Sequence, residues 1–249
     1  MPVLPDRPAA VSLADQTFDQ LGGRGSILVR QRRDHARLEQ LLHQVARTVG
    51  EAQDAALRDL ARLVFPHAFA EESVLWPVIR RHLPDGESIT LQVELEHQQI
   101  NALWTRLEVT DHDDPARAEL LTDLATLLRQ DARDEEDDML PRLQAAVDQR
   151  TLRRLGAAWA AVDAVAPTRP HPTVARRPPG NALAALPLTV LDRTRDRVDG
   201  AATHGPGAWR SAAVTVSRVL GRAAGRVERA GVFRVGEDPS TSVERGAPG

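Results

Sequence analysis

An all-α fold, an antiparallel up-down-up-down four-helix bundle at residues 24–148, is what the sequence predicts, and three features carry that expectation. Apolar side chains recur at helical spacing in four successive segments. Short stretches with Pro, Gly and Asp separate the segments, as connections between antiparallel neighbours do. The first two segments also share a pattern of charged and apolar residues with the last two, which makes the bundle a pair of related αα-hairpins. With 3% aromatic residues and no Tyr, the core must be filled by Leu, Val and Ala.

Residues 1–23 form an N-terminal extension with several charges and no apolar stretch of the leader type. The first helix, residues 27–49, aligns Leu28, His35, Leu38, Leu42, Val45 and Val49 on one face. The second runs from about Asp54 to Arg81 with Leu57, Leu60, Val64, Phe65, Leu75 and Ile79 inward; Pro66 removes a backbone donor and should kink it, and Leu83-Pro84-Asp85-Gly86 ends it. The third, Ser88 to Val109, carries Val93, His97, Ile100, Trp104 and Leu107 on one stripe. Asp113-Asp114-Pro115 reads as a cap and first-turn proline for the fourth, which continues to about Val147 with Leu120, Leu124, Leu127 and Leu128 inward.

A short fifth helix is expected within residues 149–166, and from 167 onward the character changes. Pro-Thr-Arg-Pro-His-Pro and Arg-Arg-Pro-Pro-Gly cannot continue a helix and read as an extended, poorly packed linker up to Gly180. Beyond it, Ala182–Val198 and Ala208–Val232 suit two amphipathic helices, and the last dozen residues of this 167–249 region read as disordered. From Arg169 to Arg234, twelve Arg face three Asp and one Glu, a local excess of +8 hidden in a net charge of −3. Without Lys, interleaved aromatics or a nucleic-acid module, no specific nucleic acid is expected. The Arg-rich helices instead suggest self-association or a peripheral contact.

The chain has no Cys, which excludes disulfides, thiolate zinc sites and cysteine nucleophiles; a metal would have to be held by His, Asp or Glu. No run of about 18 apolar residues could span a bilayer. The expected location is cytoplasmic.

Candidate metal ligands emerge from the internal repeat. Asp34-His35-Ala36-Arg37-Leu38 matches Glu96-His97-Gln98-Gln99-Ile100, and the block from His67 through Glu71-Glu72 to Pro77 matches Asp131 through Glu135-Glu136 to Pro141. His67 and Glu71 are four apart and therefore one turn apart on the same helical face, where both can reach one ion. His35 and His97 sit on otherwise apolar stripes. Asp131 and Glu135 interrupt the apolar face below Leu124 and Leu128, where an unpaired carboxylate is costly to bury unless a His or a metal opposes it. The competing reading of Asp131 to Asp138 as a solvated acidic face stays open, and Asp134, Asp137 and Asp138 fit it.

Together His35, the His67/Glu71/Glu72/Pro77 block, His97 and the acidic block ending at Pro141 resemble the hemerythrin HHE cation-binding domain. That resemblance implies a hemerythrin-like four-helix bundle with a non-haem, carboxylate-bridged metal site that binds or senses oxygen, or handles nitric oxide or peroxide. Carried over, it makes His35, His67, Glu71 and His97 metal ligands and makes Glu136 or its neighbour Glu135 the fourth-helix carboxylate, beside Asp131. Asn101 stands where the family often has a second third-helix His, and Asp131 replaces the fourth-helix His. Both changes shift the site toward oxygen ligands, which suit Fe²⁺ or Mn²⁺. The resemblance therefore implies iron, mono- or dinuclear, with manganese as the alternative, and a diatomic or peroxide ligand. Three functions follow: oxygen, nitric oxide, peroxide or iron sensing or redox protection; decomposition of peroxide or nitric oxide; or a decayed site whose bundle serves as a protein-interaction module.

Overall fold

The computed structural model describes residues 11–204 and 207–241, and among these it is built of helices without strands. Ser26 starts α1 (Ile27–Arg47) by accepting the Leu28 N–H at 3.3 Å, which satisfies one of the donors a helix start leaves free. α1 ends two residues before the predicted Val49. Val49 takes an extended conformation ahead of α2 and is 83% exposed, so it leaves the buried stripe expected of it. α2 (Gly50–Ala70) passes through Pro66 without interruption, widens into a π-helical turn at Glu71–Leu75, and continues as α3 (Trp76–His82). After α4 (Gly86–Val109), the Asp114 carboxylate accepts the Ala116 N–H at 2.9 Å and opens α5 (Ala116–Asp134). A second π turn, Glu135–Met139, leads into α6 (Leu140–Ala146).

The two π turns occupy equivalent places in the repeat and have a common cause. Pro77 and Pro141 each lack an N–H, and each ring crowds the carbonyl four residues back. Widening the turn just before the proline removes the conflict: the Trp76 and Leu140 N–H groups bond five residues back, to the Glu71 and Glu135 carbonyls. Two consecutive glutamates can then turn inward together, and Glu71 and Glu72 are 0% and 2% exposed.

Two apolar clusters make up the bundle core. One contains Leu28, Leu75, Trp76, Val93, Met139 and Leu140; the other contains Leu38, Val64, Phe65, Ile100, Trp104 and Leu128. Each long helix runs from one cluster to the other, and a polar residue lies between them: His35 in α1, His67 and Glu71 after Phe65, His97 in α4, Asp131 and Glu135 after Leu128. The order of the clusters alternates from helix to helix, so chain direction alternates too. The first cluster also buries Leu13 and Leu21, which ties residues 11–25 onto the bundle, and Leu152, Leu155 and Trp159 of α7 (Gln149–Asp163). Residues 1–10 of the N-terminal extension lie outside the described residues.

The stretch from Pro167 to Pro179 is irregular, as its prolines require, but it is not a loose linker. Thr168, Val174, Ala175 and Arg176 are buried in it. The Thr168 and Arg169 N–H groups donate to Asp192 at 3.0 and 3.1 Å, and the His171 N–H donates to Asn101 at 3.1 Å. Proline content signals the absence of helix, whereas the partners that fix this irregular path lie seventy residues away in the bundle or in the following helix. α8 (Gly180–His204) and α9 (Gly207–Glu228) pack on one another through Ala184, Leu188 and Ala224. Within the expected disordered end, Pro239–Thr241 forms a short 3-10 turn with Thr241 buried, while 242–249 lie outside the described residues.

Candidate metal centre

Four helices deliver three imidazoles and three carboxylates to the layer between the apolar clusters. His67 Nε2 lies 3.0 Å from Glu71 Oε1, one turn along the same helix, and 3.3 Å from His35 Nε2 across the gap to α1. His35 Nε2 is also 3.3 Å from Glu135 Oε2. On the other side, His97 Nε2 lies 3.6 Å from Glu71 Oε2 and 3.7 Å from Asp131 Oδ1. Two groups of convergent atoms result, His35/His67/Glu71/Glu135 and His97/Asp131/Glu135, with the atoms of each within 4.8 Å of one another. Ligands held about 2.0–2.2 Å from a shared ion are at most about 4.4 Å apart, so each group needs only a small contraction. Glu135 belongs to both groups, and the two oxygens of Glu71 face His67 and His97 respectively. Each of these two carboxylates therefore faces both groups.

All three imidazoles turn Nε2 to the centre and Nδ1 to an outer carboxylate. His35 Nδ1 is 2.9 Å from Glu136, His97 Nδ1 is 2.9 Å from Glu72, and His67 Nδ1 is 3.7 Å from Asp34. Of the two fourth-helix candidates, Glu135 thus faces the centre while Glu136 reaches His35 from behind. The pairing crosses the repeat, since the second Glu of each π turn serves the His of the opposite hairpin. Such outer partners fix the tautomer and orientation of a ligating His and increase its basicity. Glu72, which the repeat already equates with Glu136, was therefore legible. Gln31, one turn before His35, donates to Glu71 Oε1 at 2.8 Å, and only its helical phase could have signalled it. Asn101 turns away from the centre: its amide donates to the His97 carbonyl at 2.8 Å and its oxygen accepts from His171.

Aromatic rings close the layer. The Trp159 ring meets His67 edge-on at 5.0 Å and Trp76 stacks on His97 at 6.3 Å. Beside the imidazoles lies a cavity of about 30 Å³ lined mainly by Leu38, Val64, Phe65, Ala68, Ile100 and Leu128.

The sequence of residues 26–143 matches the family model of the hemerythrin HHE cation-binding domain. That segment belongs to the hemerythrin HHE family. The match takes a little under half of the chain and ends before α7. An uncharacterised hemerythrin-like protein of Schizosaccharomyces pombe is 22% identical over 148 residues, which cover 59% of this chain and 71% of that protein. No solved structure matches the chain.

The donor set of the hemerythrin-like domain fits a cation. Glu71 Oε2, Asp131 Oδ1 and both oxygens of Glu135 are buried without a hydrogen-bond partner. Buried carboxylate oxygens left in that condition are expensive, and an ion between them removes the cost. The same crowding governs the protons. Burial pushes Asp131 up to about 7 against the lowering pull of His97, and burial together with the Glu71 charge pushes Glu135 up to about 7. Burial alone would lower His35 and His97, but Glu135 and Glu136 around the first, and Asp131 and Glu72 around the second, hold both at about 9. His67 is likewise raised, with burial outweighed by Glu71 and Asp34. Protons thus occupy the charge deficit that a cation would fill.

Proposed function

We propose that the bundle is a non-haem metal site, with iron the preferred ion and manganese the alternative, that serves sensing of or protection against oxygen, nitric oxide or peroxide. The observation that carries this reading is the convergence, on three imidazole Nε2 atoms, of Glu71, Asp131 and Glu135 oxygens that lack hydrogen-bond partners. His35, His67, Glu71 and Glu135 would hold one ion, and His97, Asp131 and Glu135 would hold a second, with Glu71 and Glu135 between them. Mixed nitrogen and carboxylate ligation suits Fe²⁺ and Mn²⁺. When bound, such an ion supplies redox and ligand-binding chemistry. The chain's own contribution is to orient His35 and His97 through Glu136 and Glu72, to set the Asp34 charge beside His67, and to keep the layer dry with Trp76 and Trp159. The apolar cavity beside His35, His67 and His97 has room for a ligand of a few atoms, which favours a diatomic molecule or peroxide over an organic substrate. The oxygens without hydrogen-bond partners also weigh against a decayed site, since imidazoles 3.3–3.7 Å away compensate their burial only in part. Among the described residues no helix is long and apolar enough to cross a membrane, in keeping with a cytoplasmic role.

Elemental analysis of protein purified without added metal, with an optical spectrum in air, tests the proposal. Iron or manganese at one to two ions per chain is expected. Absence of both metals, and failure of the chelator-treated protein to take up either at micromolar concentration, would overturn it.

A further inference from the structure

The two halves of the proposed centre are related by the repeat but are not closed in the same way. On the first side, Glu136 backs His35 with its side chain 16% exposed, and among the described residues no arginine lies within ion-pair distance of it. On the second side, Glu72 backs His97 with its side chain 3% exposed. There the C-terminal segment intervenes: Arg176 Nη1 lies 3.5 Å from Glu72 Oε1, the same oxygen that is 2.9 Å from His97 Nδ1. The other Arg176 terminal nitrogen donates to Gln98 Oε1 at 2.8 Å, and Gln98 Nε2 donates back to the Pro172 carbonyl at 3.3 Å. Arg176 is itself buried.

Glu94, Gln98 and Asn101 are four and three residues apart, so they share one face of α4. All three receive this segment. Arg177 grips Glu94 with nitrogens 2.8–3.1 Å from its oxygens, Gln98 clamps Arg176 and Pro172, and Asn101 accepts from the His171 N–H. His97 lies on the adjoining face and contributes its carbonyl to Asn101. The position at which a family ligand would stand is thus used to anchor a segment outside the family domain, and the guanidinium of that segment reaches the carboxylate behind the remaining histidine.

Building on the metal-site reading, we infer that Arg176 is a positioning residue for His97, acting through Glu72, so that the C-terminal segment sets the metal affinity of one half of the centre. Arg176 fixes the orientation of the Glu72 carboxylate, and that carboxylate fixes the Nδ1–H tautomer and ring plane of His97. The His35 half has no such support and should be indifferent to Arg176.

Equilibrium dialysis of the full-length protein against Fe²⁺ and Mn²⁺ provides the test, with His97→Ala marking which ion depends on that imidazole. Loss of an outer partner of a ligating His commonly weakens metal binding about 10–100-fold. Arg176→Gln should weaken the ion that His97→Ala removes by about that factor and leave the other unchanged, and Arg176→Lys, which keeps the charge, should recover most of the loss. Arg177→Gln disturbs the same segment at Glu94 and should leave both ions unchanged. If Arg176→Gln folds poorly, Glu72→Gln, which keeps the shape of the carboxylate, should give the same selective loss. Equal binding by Arg176→Gln and the wild type, an Arg177→Gln loss as large as that of Arg176→Gln, or no effect of His97→Ala would each overturn the inference while leaving a metal-binding wild type intact. A wild type that binds no metal would instead overturn the metal-site reading and this inference with it.

Discussion

At the level of single residues, the proposed centre is unequal: four ligands converge around His35 and His67, but three around His97, with Glu135 shared. His67→Ala removes half of the rigid His67/Glu71 anchor of the fuller group, so it should cost more metal than His97→Ala. Metal analysis of the two variants after dialysis checks this, and greater loss from His97→Ala would reverse the assignment. Proton competition supplies a second expectation. In the metal-free fold, His35 and His97 sit at about 9 instead of 6.5, and Asp131 and Glu135 at about 7 instead of 3.8 and 4.5. The folded state therefore binds more protons than the unfolded chain, and its stability must fall as pH rises through about 7 and then about 9. Chelator-treated protein should lose Tm steadily from pH 6 to pH 9, and added Fe²⁺ or Mn²⁺, which replaces those protons, should flatten the decline. A metal-free Tm that rises over this range would show that the centre is not the dominant titrating cluster. The His and Glu residues of the centre were legible because helical phase and the repeat coincide at each of them. Arg176 was not, because its only sequence signal is composition, and its target, Glu72, lies in the distant π turn after α2.

At the level of elements, helix existence could be read from apolar periodicity, but the π turns could not, since periodicity assumes a constant 3.6 residues per turn. The paired prolines at fixed distance from each Glu-Glu were the available sign. The way α7 closes over His67 was likewise hidden, because it depends on a missing side chain. A Cβ on Gly156 would lie 2.0 Å from the Gly25 carbonyl oxygen and 3.0 Å from the Ile27 nitrogen, both backbone atoms at the start of α1. The contact lets α7 approach closely enough for Trp159, 1% exposed, to meet the His67 ring. Gly156→Ala should push α7 outward at a cost of roughly 1–3 kcal/mol, as overpacking typically does. For a chain of this length that is a fall in Tm of about 2–12 °C, and the Trp fluorescence should shift to longer wavelength as the ring gains water. An unchanged Tm and spectrum would mean that α7 does not seal this side of the layer.

At the level of the whole molecule, the Pro-rich composition after Ala166 suggests a boundary at which the chain could be cut without harm. The structure places the consequences of that cut inside the bundle. Glu94 is 0% exposed and held by Arg177 and Arg80, Glu72 is held beside Arg176, and Asn101 is occupied by the His171 backbone. Removing residues 167–249 takes away Arg176 and Arg177 together and opens to water the cavity that Phe65, Ala68 and Phe69 line together with Val174, Ala184 and Leu188. Breaking a buried ion pair by removing one partner costs about 3–5 kcal/mol. Water reaching the newly exposed carboxylates returns part of this, and the remaining Arg80 contact to Glu94 limits it further. A net loss of about 2–3 kcal/mol would lower Tm by roughly 4–12 °C. The two core clusters and all the residues of both ligand groups stay within 11–163, so the truncated chain should still unfold in one cooperative step. Adding Arg176→Gln and Arg177→Gln to the full chain should reproduce a large share of the same fall, since both changes remove the same charges from Glu72 and Glu94. Thermal unfolding of the three proteins side by side decides the matter: a truncated chain as stable as the full one would return the C-terminal region to the status of an appendage.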